Sequence, residues 1–228
     1  MIREIYFLAS SKRWLKDPAY LLNNRVEGAE FILVSSRQEL HNQLQILAPK
    51  KIFFIHWSYL IPREIYEKYE CIIFHMTDVP FGRGGSPLQN LIERKIYNTK
   101  ISALKCVKEL DAGPVYLKRP LQLDGSAQNI YLTASKIILK MIEDIINTQP
   151  VPQPQTGEVT VFTRRKPEQS DLSQLSDIED VFNWIRMLDA DGYPKAFIET
   201  EYMHIEFTQA DKKNDEVKAS VTIRKKND

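Results

Sequence analysis

The chain has 228 residues, 43% hydrophobic and 27% charged, which suits one mid-sized globular domain or a domain with a small appendage. Its 31 Lys and Arg against 30 Asp and Glu leave a net charge of +1, so the basic excess that nucleic-acid binders use to neutralise phosphate is missing and a polyanionic partner is not expected. Cys71 and Cys106 sit in strand-like stretches without a CxxC and read as reduced thiols, no apolar run approaches the roughly 20 residues of a membrane span, and MIREIYFLAS enters a strand directly instead of reading as a signal peptide, which makes the cytoplasm the default location.

Ile5 to Leu8 reads as a first strand, followed by a polar, aromatic and partly helical stretch to Leu22. Glu30 to Val34 is a second strand. A helix follows with Leu40, Leu44 and Leu47 on one face, then a third strand from Lys51 to His56. Pro62 opens a helix carrying Ile65, Tyr66 and Tyr69, and Glu70 to His75 is a fourth strand. Near-continuous apolar runs separated by helices predict a parallel-rich, Rossmann-like α/β sheet covered on both faces. A proline- and glycine-rich loop follows His75, then a helix from Leu88, mixed strand and turn to Leu110, and a tight turn at Asp111 to Pro114. Ser126 caps the longest predicted helix, which runs to Ile146.

Composition shifts at Gln149-Pro-Val-Pro-Gln-Pro-Gln155, which cannot be a regular helix. The boundary is therefore drawn between a core of residues 1–149 and a small α+β appendage of residues 150–228. The appendage holds a short strand near Val159 to Thr163, a helix from Ile178 to Leu188, a Gly192-Tyr-Pro194 turn, two or three strands and a frayed tail from Lys225.

Ligands of open α/β sheets gather outside the carboxyl ends of the strands. His75 ends the fourth strand and Asp111 opens a second turn, so the two can meet as a proton-handling pair. His204 alternates with apolar neighbours and reads as a solvated surface residue. The Gly82 to Gly85 loop lacks the GxGxxG and GxxxxGK[ST] spacings, and no His, Cys and carboxylate cluster has metal-ligand spacing, so no metal is implied.

The stretch HMTDVPFGRGGSP from His75 to Pro87 resembles the signature of folate-dependent formyltransferases, and Glu109-Leu-Asp-Ala-Gly-Pro-Val115 is similar to that family's Asp-Ala-Gly-Pro turn. His56-Trp-Ser-Tyr-Leu-Ile-Pro62 resembles the segment that lines its pteridine pocket. The resemblance implies formyl transfer with His75 and Asp111 as catalytic residues. It further implies a formyl-tetrahydrofolate donor, the N10 or N5 isomer, held by Tyr59, Leu60, Ile61, Asp111, Ala112 and Gly113. Within the family the wording is closest to sugar-nucleotide N-formyltransferases of the pseudaminic-acid type, which serve surface polysaccharide biosynthesis. It implies an amine on a UDP-4-amino-4,6-dideoxy-N-acetyl hexose as acceptor, with no nucleic acid, no membrane, and a homodimer left open. Arg83, Gly84, Gly85, Ser86, Trp184 and Tyr193 are then the substrate-binding residues. The family's asparagine two residues before the histidine is Ile73 here, which leaves Asn90, Gln89 or a backbone N–H to supply the oxyanion donor. The alternatives are a methionyl-tRNA formyltransferase, set aside because the chain after Gln155 is shorter than the RNA-binding domain of those enzymes, and a catalytically inert folate- or nucleotide-binding module suggested by Ile73.

Overall fold

The structure, a computed structural model, describes residues 3–12, 14 and 17–226. Strands and helices alternate first as β1 (Glu4–Ala9), α1 (Pro18–Asn23), β2 (Ala29–Val34), α2 (Arg37–Ile46), β3 (Lys51–Phe54), α3 (Arg63–Lys68) and β4 (Glu70–His75). There follow β5 (Arg83–Gly84), α4 (Pro87–Glu93), β6 (Asn98–Lys105), β7 (Val115–Gln122), α5 (Ala127–Thr148) and β8 (Val161–Phe162). The last elements are α6 (Ile178–Leu188), β9 (Ala196–Glu199), β10 (Met203–Lys213) and β11 (Glu216–Lys225). The chain divides into two compact units. One is Met1–Arg83, Thr99–Leu121 and Leu132–Val161; the other is Gly84–Asn98, Gln122–Tyr131 and Phe162–Asp228.

The first unit is built on a six-stranded sheet ordered β2-β1-β3-β4-β6-β7. β1 pairs in parallel with β2 and β3, β3 pairs in parallel with β4, and β6 runs antiparallel to β4 with Ser102 opposite His75. The expected parallel-rich α/β sheet is therefore present. Consecutive residues of β1 point to opposite faces, yet Phe7, Leu8 and Ala9 are all fully buried, which requires cover on both sides. On one face Phe7, Val34, Ile52 and Phe54 form a core against which Leu44, Leu47, Ile65 and Tyr66 of the predicted helices pack. Ser36 caps α2 by accepting from the Glu39 N–H, while Glu39 reaches back to the Ser35 N–H. The expected helical stretch after β1 is shorter than Ser10 to Leu22: α1 begins at Pro18, where Asp17 accepts from the Tyr20 N–H. The boundary drawn at residue 149 falls inside this unit, because Gln153 exchanges two backbone hydrogen bonds with Val115.

In the second unit α4 and α6 pack together, and α6 lies on β10 of a three-stranded sheet ordered β11-β10-β9. Arg186 of α6 is buried and spends its guanidinium on the carbonyls of Leu123 and Gly125 and on the Asn183 side chain. His204 Nδ1 lies 3.0 Å from Glu199 Oε1 and Nε2 lies 3.6 Å from Glu206 Oε1, so it is a partnered residue of a sheet face. The expected frayed tail is ordered through Lys226, whose N–H bonds the Tyr202 carbonyl; Asn227 and Asp228 lie outside the described residues. Among the described residues no helix is long and apolar enough to cross a membrane.

Candidate active site

His75 closes β4, and the loop behind it folds back so that the Gly82 carbonyl sits 2.7 Å from His75 Nε2. A carbonyl oxygen only accepts, so Nε2 carries the proton and donates it. The other ring nitrogen, Nδ1, lies 3.4 Å from Asp111 Oδ2, and both side chains are more than nine-tenths buried. The imidazole and the carboxylate thus face each other inside the fold, within reach of proton exchange. Thr77 Oγ1 donates to the same Gly82 carbonyl, and Ser102 Oγ of β6 donates to the Thr77 carbonyl, which fixes the loop against the sheet.

Asp111 stands in the turn between β6 and β7 with φ of 52°, a left-handed conformation rare for a residue with a side chain. Gly113 explains the tightness of this turn: a Cβ there would lie 1.7 Å from the Lys105 carbonyl oxygen. Gln155 holds the turn from outside. Its Nε2 donates to the carbonyls of Asp111 and Gly113, each at 2.8 Å. Its Oε1 accepts from Arg83 Nε and Nη2 at 3.0 and 2.7 Å. One side chain thus links the turn of Asp111 to the residue that follows Gly82. Sequence reasoning placed Gln155 in a linker and missed it, and the one available signal was a glutamine among prolines that forbid a helix.

The other expected site residues fall as follows. Tyr59 and Leu60 are exposed beyond the carboxyl end of β3, Ile61 packs on the apolar core, and the Arg37 guanidinium stacks 4.3 Å over the Tyr59 ring. Trp57 meets Tyr59 edge-on at 5.2 Å. Ala112 and Gly113 belong to the Asp111 turn, as expected. Arg83 is engaged by Gln155. In the second unit Gly84 and Gly85 serve close approaches within the protein: a Cβ at Gly84 would meet the Phe162 carbonyl oxygen at 2.4 Å, and one at Gly85 would meet Arg164 at 2.5 Å. Ser86 Oγ accepts from the Arg165 N–H. Trp184 lies under the Arg165 guanidinium, and Tyr193 packs against Tyr131.

Ile73, at the position of the family asparagine, packs on the apolar core. The suggested substitutes have their amide hydrogens committed elsewhere. Asn90 donates to the carbonyls of Gly85, Ser86 and Thr163, and Gln89 donates to Tyr131 and Met187. Next to His75, Asp78 is paired with Lys118 and Lys100. Burial pushes its carboxyl up, but the two lysine hydrogen bonds outweigh this and hold it below the usual carboxylate range. Burial raises both thiols, that of Cys106 to about 11, so neither presents a ready thiolate. Among the described residues no cluster of His, Cys, Asp or Glu is arranged to hold a metal ion.

Residues 167–224 match the family model described as the C-terminal domain of methionyl-tRNA formyltransferase. The structure is similar to that of a methionyl-tRNA formyltransferase from Clostridium thermocellum, with a TM-score of 0.94 and 44% identity over 98% of this chain and 100% of that one. A curated methionyl-tRNA formyltransferase from Thermodesulfovibrio yellowstonii is 23% identical over 63% of this chain and 49% of its own length. A 4-N formyltransferase from Francisella tularensis shares the fold at a TM-score of 0.68 and 14% identity, over 88% of this chain and 94% of that one. The chain spans about half to three fifths of the length of the curated relatives it matches.

These similarities overturn the expected pseudaminic-type acceptor, a nucleotide-linked amino sugar with no nucleic-acid partner, together with the theme of surface polysaccharide biosynthesis. At 14% identity the likeness to the 4-N formyltransferase extends to the fold alone. Two arguments had pointed the wrong way. Length after Gln155 was taken as a missing RNA-binding domain, whereas residues 167–224 match the model of a C-terminal domain of methionyl-tRNA formyltransferase. Net charge over the whole chain was taken as a measure of partner preference, although a balanced total is compatible with a local basic stretch such as Arg164-Arg165-Lys166.

Proposed function

This chain belongs to the formyltransferase family, and from that premise we propose that it moves a formyl group from a formyl-tetrahydrofolate to the amine of an aminoacyl acceptor of the methionyl-tRNA class. The buried His75–Asp111 pair carries the reading, because an amine attacking a carbonyl carbon needs a positioned group to handle its proton. The C-terminal segment 167–224 and the 44% identity to the Clostridium thermocellum protein support the acceptor class.

The residues present fit a reduced folate. Tyr59 and Leu60 expose aromatic and aliphatic surface where a planar ring system can rest, and the Ala112–Gly113 backbone adjoins Asp111. When bound, the folate supplies an activated formyl carbon. Asp111 accepts the proton released as the amine nitrogen bonds to that carbon, and it returns the proton to the folate nitrogen whose bond breaks. His75, with Nδ1 3.4 Å from Oδ2, keeps the carboxylate in register. Its Nε2–H is donated to the Gly82 carbonyl, and Ile73 offers no donor in place of the family asparagine.

The test is an assay of the purified chain with N10- and N5-formyl-tetrahydrofolate against methionyl-tRNA, with free methionine and glycinamide ribonucleotide as comparison acceptors. Formyl-methionyl-tRNA is the expected product. Folate turnover with glycinamide ribonucleotide alone would remove the acceptor assignment, and no transfer from either folate to any amine would remove the activity.

A further inference from the structure

The residues between β4 and β5 form a loop that is mostly buried: Met76, Thr77, Val79, Pro80 and Gly82 all lie inside the fold. Loops usually run over the surface, because a buried loop must find donors for carbonyls that no strand or helix serves. Here the donors can be named one by one. The Thr77 carbonyl accepts from Ser102 Oγ of β6, which stands opposite His75 in the sheet. The Asp78 carbonyl accepts from the Phe81 N–H, and the Pro80 carbonyl accepts from the Thr160 N–H. The Gly82 carbonyl accepts from Thr77 Oγ1 and from His75 Nε2. The Val79 carbonyl accepts from Lys118 Nζ of β7.

Lys118 is the ammonium of this set, and it reaches the loop from the strand beyond β6. It also binds Asp78 Oδ1, while Lys100 of β6 takes Asp78 Oδ2 at 2.9 Å. The two lysines differ in what they hold. Lys100 is half-exposed, and among the described residues it meets the carboxylate and no loop carbonyl. An exposed ion pair of that kind contributes little. Lys118 is better buried, with 27% of its side chain exposed, and it spans the carboxylate and the backbone. Without it Asp78 keeps Lys100, but the Val79 carbonyl is left buried and without this donor, which is the costlier loss.

We infer that Lys118 is a positioning residue for His75. Val79 lies inside the turn that the Asp78–Phe81 hydrogen bond closes, and Gly82 follows that turn. Holding the Val79 carbonyl against β7 therefore fixes where the Gly82 carbonyl stands. The imidazole is a rigid ring, so a carbonyl fixed 2.7 Å from Nε2 also fixes Nδ1, which faces Asp111 Oδ2 at 3.4 Å. A loop released at Val79 lets the Gly82 carbonyl drift and the ring rotate about its bond to the chain. The consequence falls on the geometry of the pair and leaves the binding of either substrate nearly untouched. Its bearing on turnover rests on the function proposed above; its bearing on the ring does not.

NMR of the full chain with nitrogen-labelled histidine tests the ring, with His75→Ala assigning the signal. The expected wild-type result is a His75 Nε2–H protected from exchange with water. Lys118→Met keeps the length of the side chain and removes the ammonium. It should exchange that proton at least about tenfold faster, through local opening of the loop. The same variant should lower kcat about tenfold and leave KM for formyl-tetrahydrofolate within about twofold. Lys118→Arg, which can still donate to both Asp78 and Val79, should restore most of both. Lys100→Met removes the other lysine of Asp78 and should leave the proton and kcat as in the wild type. Thermal melting checks the fold, and Lys118→Gln replaces Lys118→Met if that variant does not fold. An unprotected His75 proton in the wild type, wild-type protection in a folded Lys118→Met, or a folded Lys118→Arg no better than Lys118→Met would overturn the assignment. So would an equal loss in Lys100→Met, which would trace the effect to the charge on Asp78. Faster exchange in Lys118→Met with kcat unchanged would keep Lys118 as the anchor of the ring and sink the catalytic reading of His75 instead.

Discussion

Gln155 donates its side-chain amide to the backbone carbonyl of Asp111 at 2.8 Å, so Asp111 is held in its left-handed turn by a residue forty-four positions away. The same side chain accepts two hydrogen bonds from Arg83. Gln155→Ala leaves two carbonyls and a guanidinium without this partner and removes the direct link between the Asp111 turn and Arg83. The expected outcome is a fall in kcat of roughly 10- to 100-fold, since small misplacements of reacting groups have effects of that order. KM for the folate should change less, and Gln155→Asn should not rescue because its shorter side chain cannot span both loops. A wild-type kcat in a folded Gln155→Ala chain would show that the clamp does not position Asp111.

Asp111→Asn keeps the shape of the side chain but cannot take a proton from the amine, and His75→Ala removes the imidazole that faces it. Each should lower turnover by roughly 10²- to 10⁴-fold. The double variant should be little worse than either alone, because the two act as one unit. Steady-state kinetics alongside folate titration separates this from a binding defect. Near-wild-type rates in both folded variants would place the chemistry elsewhere.

Why the fold was legible is clear from β1 to β4: runs such as Lys51 to Phe54 are apolar on both faces, and only a covered parallel sheet buries such runs. The meeting of His75 and Asp111 was legible because one ends a strand-like run and the other opens a glycine turn. Gln155 was not, because its importance lies in four hydrogen bonds to residues distant in sequence, and nothing in the composition of a proline-rich segment encodes them. The glycines after His75 were read as room for a ligand, yet Gly84 and Gly85 make room for Phe162 and Arg164. A glycine pattern reports close approach without saying what approaches. The acceptor was misread for a related reason. Net charge is a sum over the surface, and recognition depends on where the charges stand.

Gly113→Ala tests the turn itself. The new methyl group would meet the Lys105 carbonyl oxygen, a backbone atom of β6 that cannot swing aside. The sheet or the turn must move. A loss of about 3 kcal/mol or more is expected from strain of this kind, a drop in Tm of roughly 6–12 °C for a chain of this size. A melting temperature within about 2 °C of wild type, measured by calorimetry, would show that the turn is more pliant than its geometry implies.

The last prediction concerns pH. His56 has its folded pKa lowered from 6.5 to about 4 by burial first and by Lys12 second. Between these values the unfolded chain binds a proton that the folded chain refuses, so stability rises with pH across the window and levels off above about 6.5. Lowering the pH from 7 toward 4 should therefore destabilise the protein through this residue by on the order of 1–2 kcal/mol, the range reflecting its partial exposure. Asp78 acts in the same sense further into acid: its carboxyl is held below 3.8 in the folded chain, so its contribution is present above the unfolded value and is lost as pH falls through the folded one. The two are separable because their windows differ. His56→Asn, which keeps a polar group facing Ser135 but cannot take up a proton, should flatten the dependence of urea midpoint on pH between 4 and 6.5 and leave the steeper loss below 4 in place. An unchanged slope in that window would mean that His56 is protonated in the folded chain.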